Sequence, residues 1–135
     1  MNPKAIALQE RTHQFFLRVS RLCESLPANS TTVSIIEQLT DSAGSTDSNY
    51  HGACRGRSND EFISKVAVAA EEADESKAWL AKLLDRGYGD RNETSALIQE
   101  ADELTAIFTA SHKTAKKRQE ERRRRQELQK RRKRR

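Results

Sequence analysis

The chain has few of the residues that staple or interrupt a fold. Two cysteines in 135 residues exclude a disulfide framework. Cys23 and Cys54 therefore read as reduced thiols of a cytosolic protein, behaving as small buried hydrophobes. There are only two prolines: Pro3 suits the first turn of a helix, and Pro27 stops one. No apolar run approaches the ~20 residues of a membrane span. The opening Met-Asn-Pro-Lys-Ala-Ile lacks the apolar stretch of a signal peptide. Strand-like alternation with β-branched enrichment is missing throughout. There is no Ser/His/Asp set and no phosphate loop, so neither an enzyme nor a cofactor is expected. Metal ligands are equally sparse. Glu10-Arg11-Thr12-His13 has the Glu-x-x-His spacing of a di-iron bundle, but no second copy exists to complete a site. His51 and Cys54 offer two ligands where zinc takes three or four.

What is present is helical periodicity. Leu8, Thr12, Phe15, Val19, Leu22 and Leu26 step by four and three along one helix face. After Pro27, the residues Asn29, Ser30 and Thr31 offer N-caps, and Ser34 with Glu37 has capping-box spacing. Val33, Ile36, Leu39 and Ala43 open a second stripe, which weakens through the poor helix formers Gly44–Asn49. Ser58 and Glu61 form a further capping box, followed by Phe62, Val66, Ala69, Ala73, Ser76, Leu80 and Leu83. Gly87 suits the residue after a helix end. Asp90 and Glu93 repeat the box, and Leu97, Ala101, Leu104, Phe108, Ser111 and Ala115 make the fourth stripe. The pattern predicts an all-α, antiparallel up-down four-helix bundle over 1–112. Many interior positions are Ala, Ser or Thr, so the core is thin and burial against other subunits is expected.

Charge divides the chain. Residues 113–135 hold fourteen Lys/Arg (Lys113, Lys116, Lys117, Arg118, Arg122, Arg123, Arg124, Arg125, Lys130, Arg131, Arg132, Lys133, Arg134 and Arg135) against three Glu, a net of +11. Residues 1–112 carry 11 basic and 17 acidic side chains, a net of −6. An acidic body with a basic tail points to an anionic partner, nucleic acid first, because phosphate contacts release counterions. A solvated extension and a tail that docks an acidic protein or membrane surface are the alternatives. Glu120 with Arg124, Glu121 with Arg125 and Glu127 with Arg131 stand at i, i+4 in the favourable order, so the tail can continue the fourth helix as a charged rod. It has no repeated apolar a/d positions and no aromatic residue. Binding there should be electrostatic and largely independent of sequence.

Within the body, Arg55-Gly56-Arg57 precedes a capped helix start. Two guanidiniums beside free backbone N–H groups can hold a phosphate; pairing with Asp60, Glu61 or another subunit is the structural alternative. Asn49 should hydrogen-bond a neighbouring helix. The acidic run Glu71, Glu72, Asp74, Glu75 should pair with Lys77, Lys82 or a neighbouring subunit.

Three stretches have a familiar texture. They are Gln38-Leu39…Ser48-Asn49-Tyr50…Ala53-Cys54-Arg55-Gly56-Arg57-Ser58…Glu61-Phe62-Ile63-Ser64-Lys65, then Glu71-Glu72-Ala73-Asp74-Glu75-Ser76…Trp79-Leu80, and Glu100-Ala101-Asp102-Glu103-Leu104…Ile107-Phe108…Ala110-Ser111…Lys113-Thr114-Ala115. Over about residues 5–116 the chain resembles the bacterial four-helix-bundle family of 23S rRNA intervening-sequence proteins. That family in turn looks related to the accessory variability proteins of diversity-generating retroelements. The resemblance implies a non-catalytic bundle assembled as a ring-like homo-oligomer, a pentamer in known members, and in the retroelement members a reverse transcriptase partner and a basic exterior that binds nucleic acid. Here the body is acidic, and Asp47 replaces the usual Pro or small residue. The tail must then supply the charge. The resulting expectation is a cytoplasmic, homo-oligomeric accessory protein, without membrane contact, that binds RNA in preference to DNA. Its alternative is a protein-only scaffold.

Overall fold

Local chemistry sets each helix end. In the computed structural model, which describes residues 2–135, four helices account for most of the chain: α1 (Pro3–Glu24), α2 (Ser30–Cys54), α3 (Asn59–Arg86) and α4 (Arg91–Arg134). Among the described residues there is no strand, and no helix is long and apolar enough to cross a membrane. The Asn2 side chain caps α1 by accepting from the Lys4 N–H at 2.8 Å, with Pro3 in the first turn. Asn29 and Thr32 form a reciprocal capping box at the start of α2, which displaces the expected Ser34–Glu37 pair into the helix interior. Ser58 and Asp90 cap α3 and α4 through the Glu61 and Glu93 N–H groups.

Gly87 ends α3 in the left-handed region at φ 69°, and the Tyr88 N–H reaches back to the Leu83 carbonyl at 3.0 Å. Gly89 is also left-handed, at φ 78°, and a Cβ there would sit 2.9 Å from Leu26 Cδ2. Gly87→Ala meets no neighbour and should cost about 1 kcal/mol of backbone strain alone. Gly89→Ala adds crowding to the same strain, so chemical denaturation should show the larger loss at Gly89.

Pairs across the interfaces fix the direction of each helix. Arg11 meets Glu100 and Arg18 meets Glu93, so α1 and α4 run antiparallel. Thr12 with Asp47 and Cys23 with Thr40 set α1 against α2. Ser42 with Ser76 sets α2 against α3, and Lys77 with Asp102 and Asp60 with Gln119 set α3 against α4. Each helix touches its two neighbours and not its diagonal partner, which is the expected up-down square.

The core runs from Phe15, Val19 and Leu22 of α1 through Leu39 and Tyr50 of α2 and Val66, Leu80 and Leu83 of α3 to Leu97, Leu104 and Phe108 of α4. Tyr50 and Phe108 pack ring to ring at 5.3 Å between centroids. The stripes of α1, α3 and α4 lie where the periodicity put them, except that Ile63 is buried and Phe62 is only half-buried. On α2 the stripe holds at Leu39 and Ala43, which are fully buried, and departs at the N-terminal end. Thr32 and Ile35 point inward, whereas Val33 is 47% exposed. The helix starts at the Asn29 cap, and at 100° per residue a shift of one or two positions moves a side chain to another face.

α2 also stays helical through Gly44–Asn49 against its propensity. Ser42 donates to the Leu39 carbonyl and Thr46 to the Ser42 carbonyl, so both hydroxyls are buried with partners. Asn49 donates to the Ser45 carbonyl and hydroxyl of its own helix, each at 2.9 Å, and not to a neighbouring helix as expected. Ser76 Oγ lies 2.8 Å from Ser42 Oγ where α2 and α3 approach closely. Among the described residues no buried side-chain polar atom lacks a partner.

Candidate nucleic-acid interface

α4 crosses residue 112 without a break. Its inward face is buried to Phe108 and half-buried at Ser111, His112, Ala115 and Gln119. Gln119 donates to Asp60 at the start of α3, and the Arg122 guanidinium lies against the Asn59 side-chain amide. Every residue from 120 to 135 is exposed. Arg122, Arg123 and Gln126 still line a hollow with the start of α3, and residues 127–135 extend about 14 Å further at 1.5 Å each.

The basic residues fall into two groups. Lys113, Lys116, Lys117 and Arg118 lie on the exposed side of the part of α4 that flanks the bundle. Arg122–Arg125 and Lys130–Arg135 lie on the exposed rod. Ten cations at successive 100° steps cover every side of that rod, and three glutamates offset them in part. The Arg124–Glu120 pair forms at 2.9 Å; Glu121–Arg125 and Glu127–Arg131 do not come within ion-pair distance. Leu128 stands 56% exposed, so no apolar seam invites a coiled coil.

Arg55 and Arg57 are both exposed, and among the described residues neither guanidinium pairs with an acid. Two of the backbone donors beside them are taken: the Glu61 carboxylate accepts from the Arg57 N–H at 3.1 Å, and Ser58 Oγ accepts from the Glu61 N–H at 3.1 Å. The bundle end is also where the groove of this protein opens. A hollow of about 1100 Å³ lies between the first turns of α1, the α2–α3 corner and residues 107–118 of α4. Arg57 and Arg118 line it and Arg55 does not. Lys4 is the cation the sequence did not single out. It is remote in sequence from both arginines, and only the antiparallel packing brings the three together.

The other charged clusters lie on the body of the bundle. Asp47 accepts from Thr12 Oγ1 at 2.7 Å and lies 3.6 Å from His13 Nδ1 and 3.2 Å from His51 Nε2. Glu10 of the former Glu-x-x-His motif instead accepts from Gln14. Among the described residues no group of three or more His, Cys, Asp and Glu is arranged to hold a metal. The acidic run on α3 does not find its expected lysines. Lys77 reaches Asp102 at 2.7 Å, and Lys82 lies over the Trp79 ring at 4.8 Å. Glu72 is left partly desolvated beside Glu75, Glu71 and Asp41, and burial followed by these like charges raises its pKa. Burial likewise pushes the Cys23 thiol up, which keeps it protonated and unreactive.

Comparison with known proteins supports the architecture. The chain superimposes on a crystal structure of a protein of unknown function from the S23 ribosomal protein family of Bacteroides thetaiotaomicron, with a TM-score of 0.74 at 23% identity. The match covers 82% of this chain and 98% of the other. No curated protein matches. The sequence model described as 23S rRNA-intervening sequence protein matches residues 4–110. That span runs from the first turn of α1 through α2 and α3 into α4 and stops short of the basic extension. With most of its length inside the match, the chain belongs to the family of 23S rRNA-intervening sequence proteins.

Proposed function

We propose that this chain is a non-enzymatic RNA-binding accessory protein, with the α4 extension as its principal contact. One observation carries the reading: residues 120–135 of α4 are all exposed, with ten Lys/Arg against three Glu, and only Arg122, Arg123 and Gln126 among them line a hollow with the start of α3. A rod charged all round cannot read base edges through one face. It can lie along phosphates in many registers, which suits affinity without sequence preference. The family's name, which refers to an intervening sequence of the 23S rRNA, supports RNA over DNA, and a cytoplasmic location goes with that partner. Assembly as a homo-oligomer, with five copies the expected number, is supported by the small-residue core and by half-exposed Ile6 and Val33. A reverse transcriptase partner is supported only by the resemblance to retroelement accessory proteins.

The second reading is a protein-only scaffold in which the basic rod meets an acidic surface. The unpaired run Glu71, Glu72, Asp74 and Glu75 on α3 is such a surface.

A salt titration separates the two. Fluorescence anisotropy of a labelled RNA should give log K falling linearly with log salt. Six neutralised phosphates correspond to a slope of about −4 to −5. Absence of RNA binding even at low salt would leave the scaffold as the better account.

A further inference from the structure

The groove at the end of the bundle has a composition unlike the body around it. Its floor is apolar, made by Leu8, Tyr50, Phe62 and Ile107. Its rim carries Lys4, Arg11, Arg57 and Arg118, and no Asp or Glu lines it. Residues 1–112 are net −6, so a wall with three cations of that body, joined by Arg118 of the tail, and no acid departs from the local average. Arg11 is already held by Glu100 at 2.6 Å. Among the described residues Lys4, Arg57 and Arg118 have no acidic partner within ion-pair distance. The groove also continues toward the rod. A smaller hollow of about 300 Å³ shares Ser58 and Asn59 with it and is walled by Arg122 and Arg123.

An apolar floor is wasted on phosphate alone, and a cationic rim is wasted on an apolar ligand. A nucleotide joined to its neighbours offers both a flat face of low polarity and flanking negative charge. The hollow is also large enough for one, since pockets that hold small molecules run from about 300 to 1,000 Å³.

We propose that this groove takes one unpaired nucleotide of the bound RNA. Its base lies on the Leu8, Tyr50, Phe62 and Ile107 floor, and its flanking phosphates lie against Lys4, Arg57 and Arg118. This rests on the RNA reading above and adds a structural preference to it. The rod accepts any run of phosphates, whereas the groove admits only a base outside a helical stack. The protein then favours RNA in which a loop or overhang adjoins the phosphates that engage the rod.

The test uses full-length protein and two RNAs with equal numbers of phosphates, one a blunt duplex and the other a stem with an unpaired loop. The loop RNA should bind about tenfold tighter, the scale of one stacked base. A 4-thiouridine placed in the loop should photocrosslink to peptides containing Tyr50, Phe62 or Ile107. Ala110→Trp fills the groove from an exposed position on its wall, and Arg57→Glu removes a rim cation, also exposed. Ala110→Trp should abolish the preference for the loop RNA while blunt-duplex affinity stays near wild type, with an unchanged melting curve showing that the fold is intact. Arg57→Glu should weaken the loop RNA more than the duplex. Equal binding of the two RNAs by wild-type protein would overturn the groove proposal and leave the rod reading standing. So would variants that keep the preference, or variants that alter the oligomeric state instead, which would mark the groove as a contact between copies. No binding of either RNA would overturn both.

Discussion

Truncation after Gln119 is expected to lower RNA affinity by about a thousandfold near 0.15 M salt, while the bundle stays folded. The magnitude follows from counterion release. Six phosphate contacts at about 0.7 released cations each amount to some three to four decades between 1 M and physiological salt. The cut removes ten of the fourteen basic residues of the tail and leaves Lys113, Lys116, Lys117 and Arg118 in place. Folding should survive because burial on α4 ends at Phe108 and the last half-buried residue is Gln119 itself. Circular dichroism of the truncated protein should show an intact cooperative transition, and its salt slope should flatten in step with the lost contacts. If several copies assemble, the loss should exceed that seen with a monomeric tail peptide, because linked rods raise one another's effective concentration. Equal affinity of full-length and truncated protein would move the site onto the bundle.

Replacement of Leu80 or Leu104 by Ala should destabilise the fold by about 2–5 kcal/mol, and of Phe15 by about 3–5 kcal/mol. All three are essentially inaccessible to water, at 1% exposure or less. Their neighbours belong to other helices, so a cavity at any of them loosens an interface as well as removing apolar area. For a domain of this size the melting temperature should fall by about 10 °C or more. Arg123→Ala and Lys133→Ala sit on the exposed rod and should leave the transition unmoved. Differential scanning calorimetry distinguishes the outcomes, and unchanged melting in the leucine variants would mean that the core has been assigned to the wrong faces.

The fold was legible where local chemistry and periodicity agree. On α3 the sequence shows a Ser58 cap, acids in the first turn, seven small or apolar residues at helical spacing and Gly87 at the end. Every one of those positions except half-buried Phe62 plays the part its type suggests. α2 was legible in its middle, where Leu39 and Ala43 are buried, but not in the phase of its first turns. Asn29, Ser30, Thr31 and Ser34 all have side chains that cap helices, and nothing local chooses among them. The choice is made by Thr32, which closes a box with Asn29 and also donates to the Pro27 carbonyl. Hydroxyl-rich residues 42–49 look like a weak helix in isolation because Ser and Asn compete for backbone groups. Inside the bundle the same hydroxyls return their hydrogen bonds to their own helix and leave a slim surface on which α2 and α3 meet.

For the candidate site the division follows the range of the interaction. The sequence by itself determined the charge asymmetry, because formal charge is additive and needs no coordinates. It also determined that the tail has helix-supporting pairs and no apolar seam, since both depend on spacings of three and four along one chain. Only the tertiary structure decided that the tail is the outer part of a single 44-residue helix docked at its root through Gln119 and Arg122. Only the tertiary structure joined Lys4, Arg57 and Arg118 around an apolar floor. A groove is a property of helices that fail to touch. It depends on how far α1 stands from α4 near the bundle end, and that distance is set by side chains packed from all four helices together.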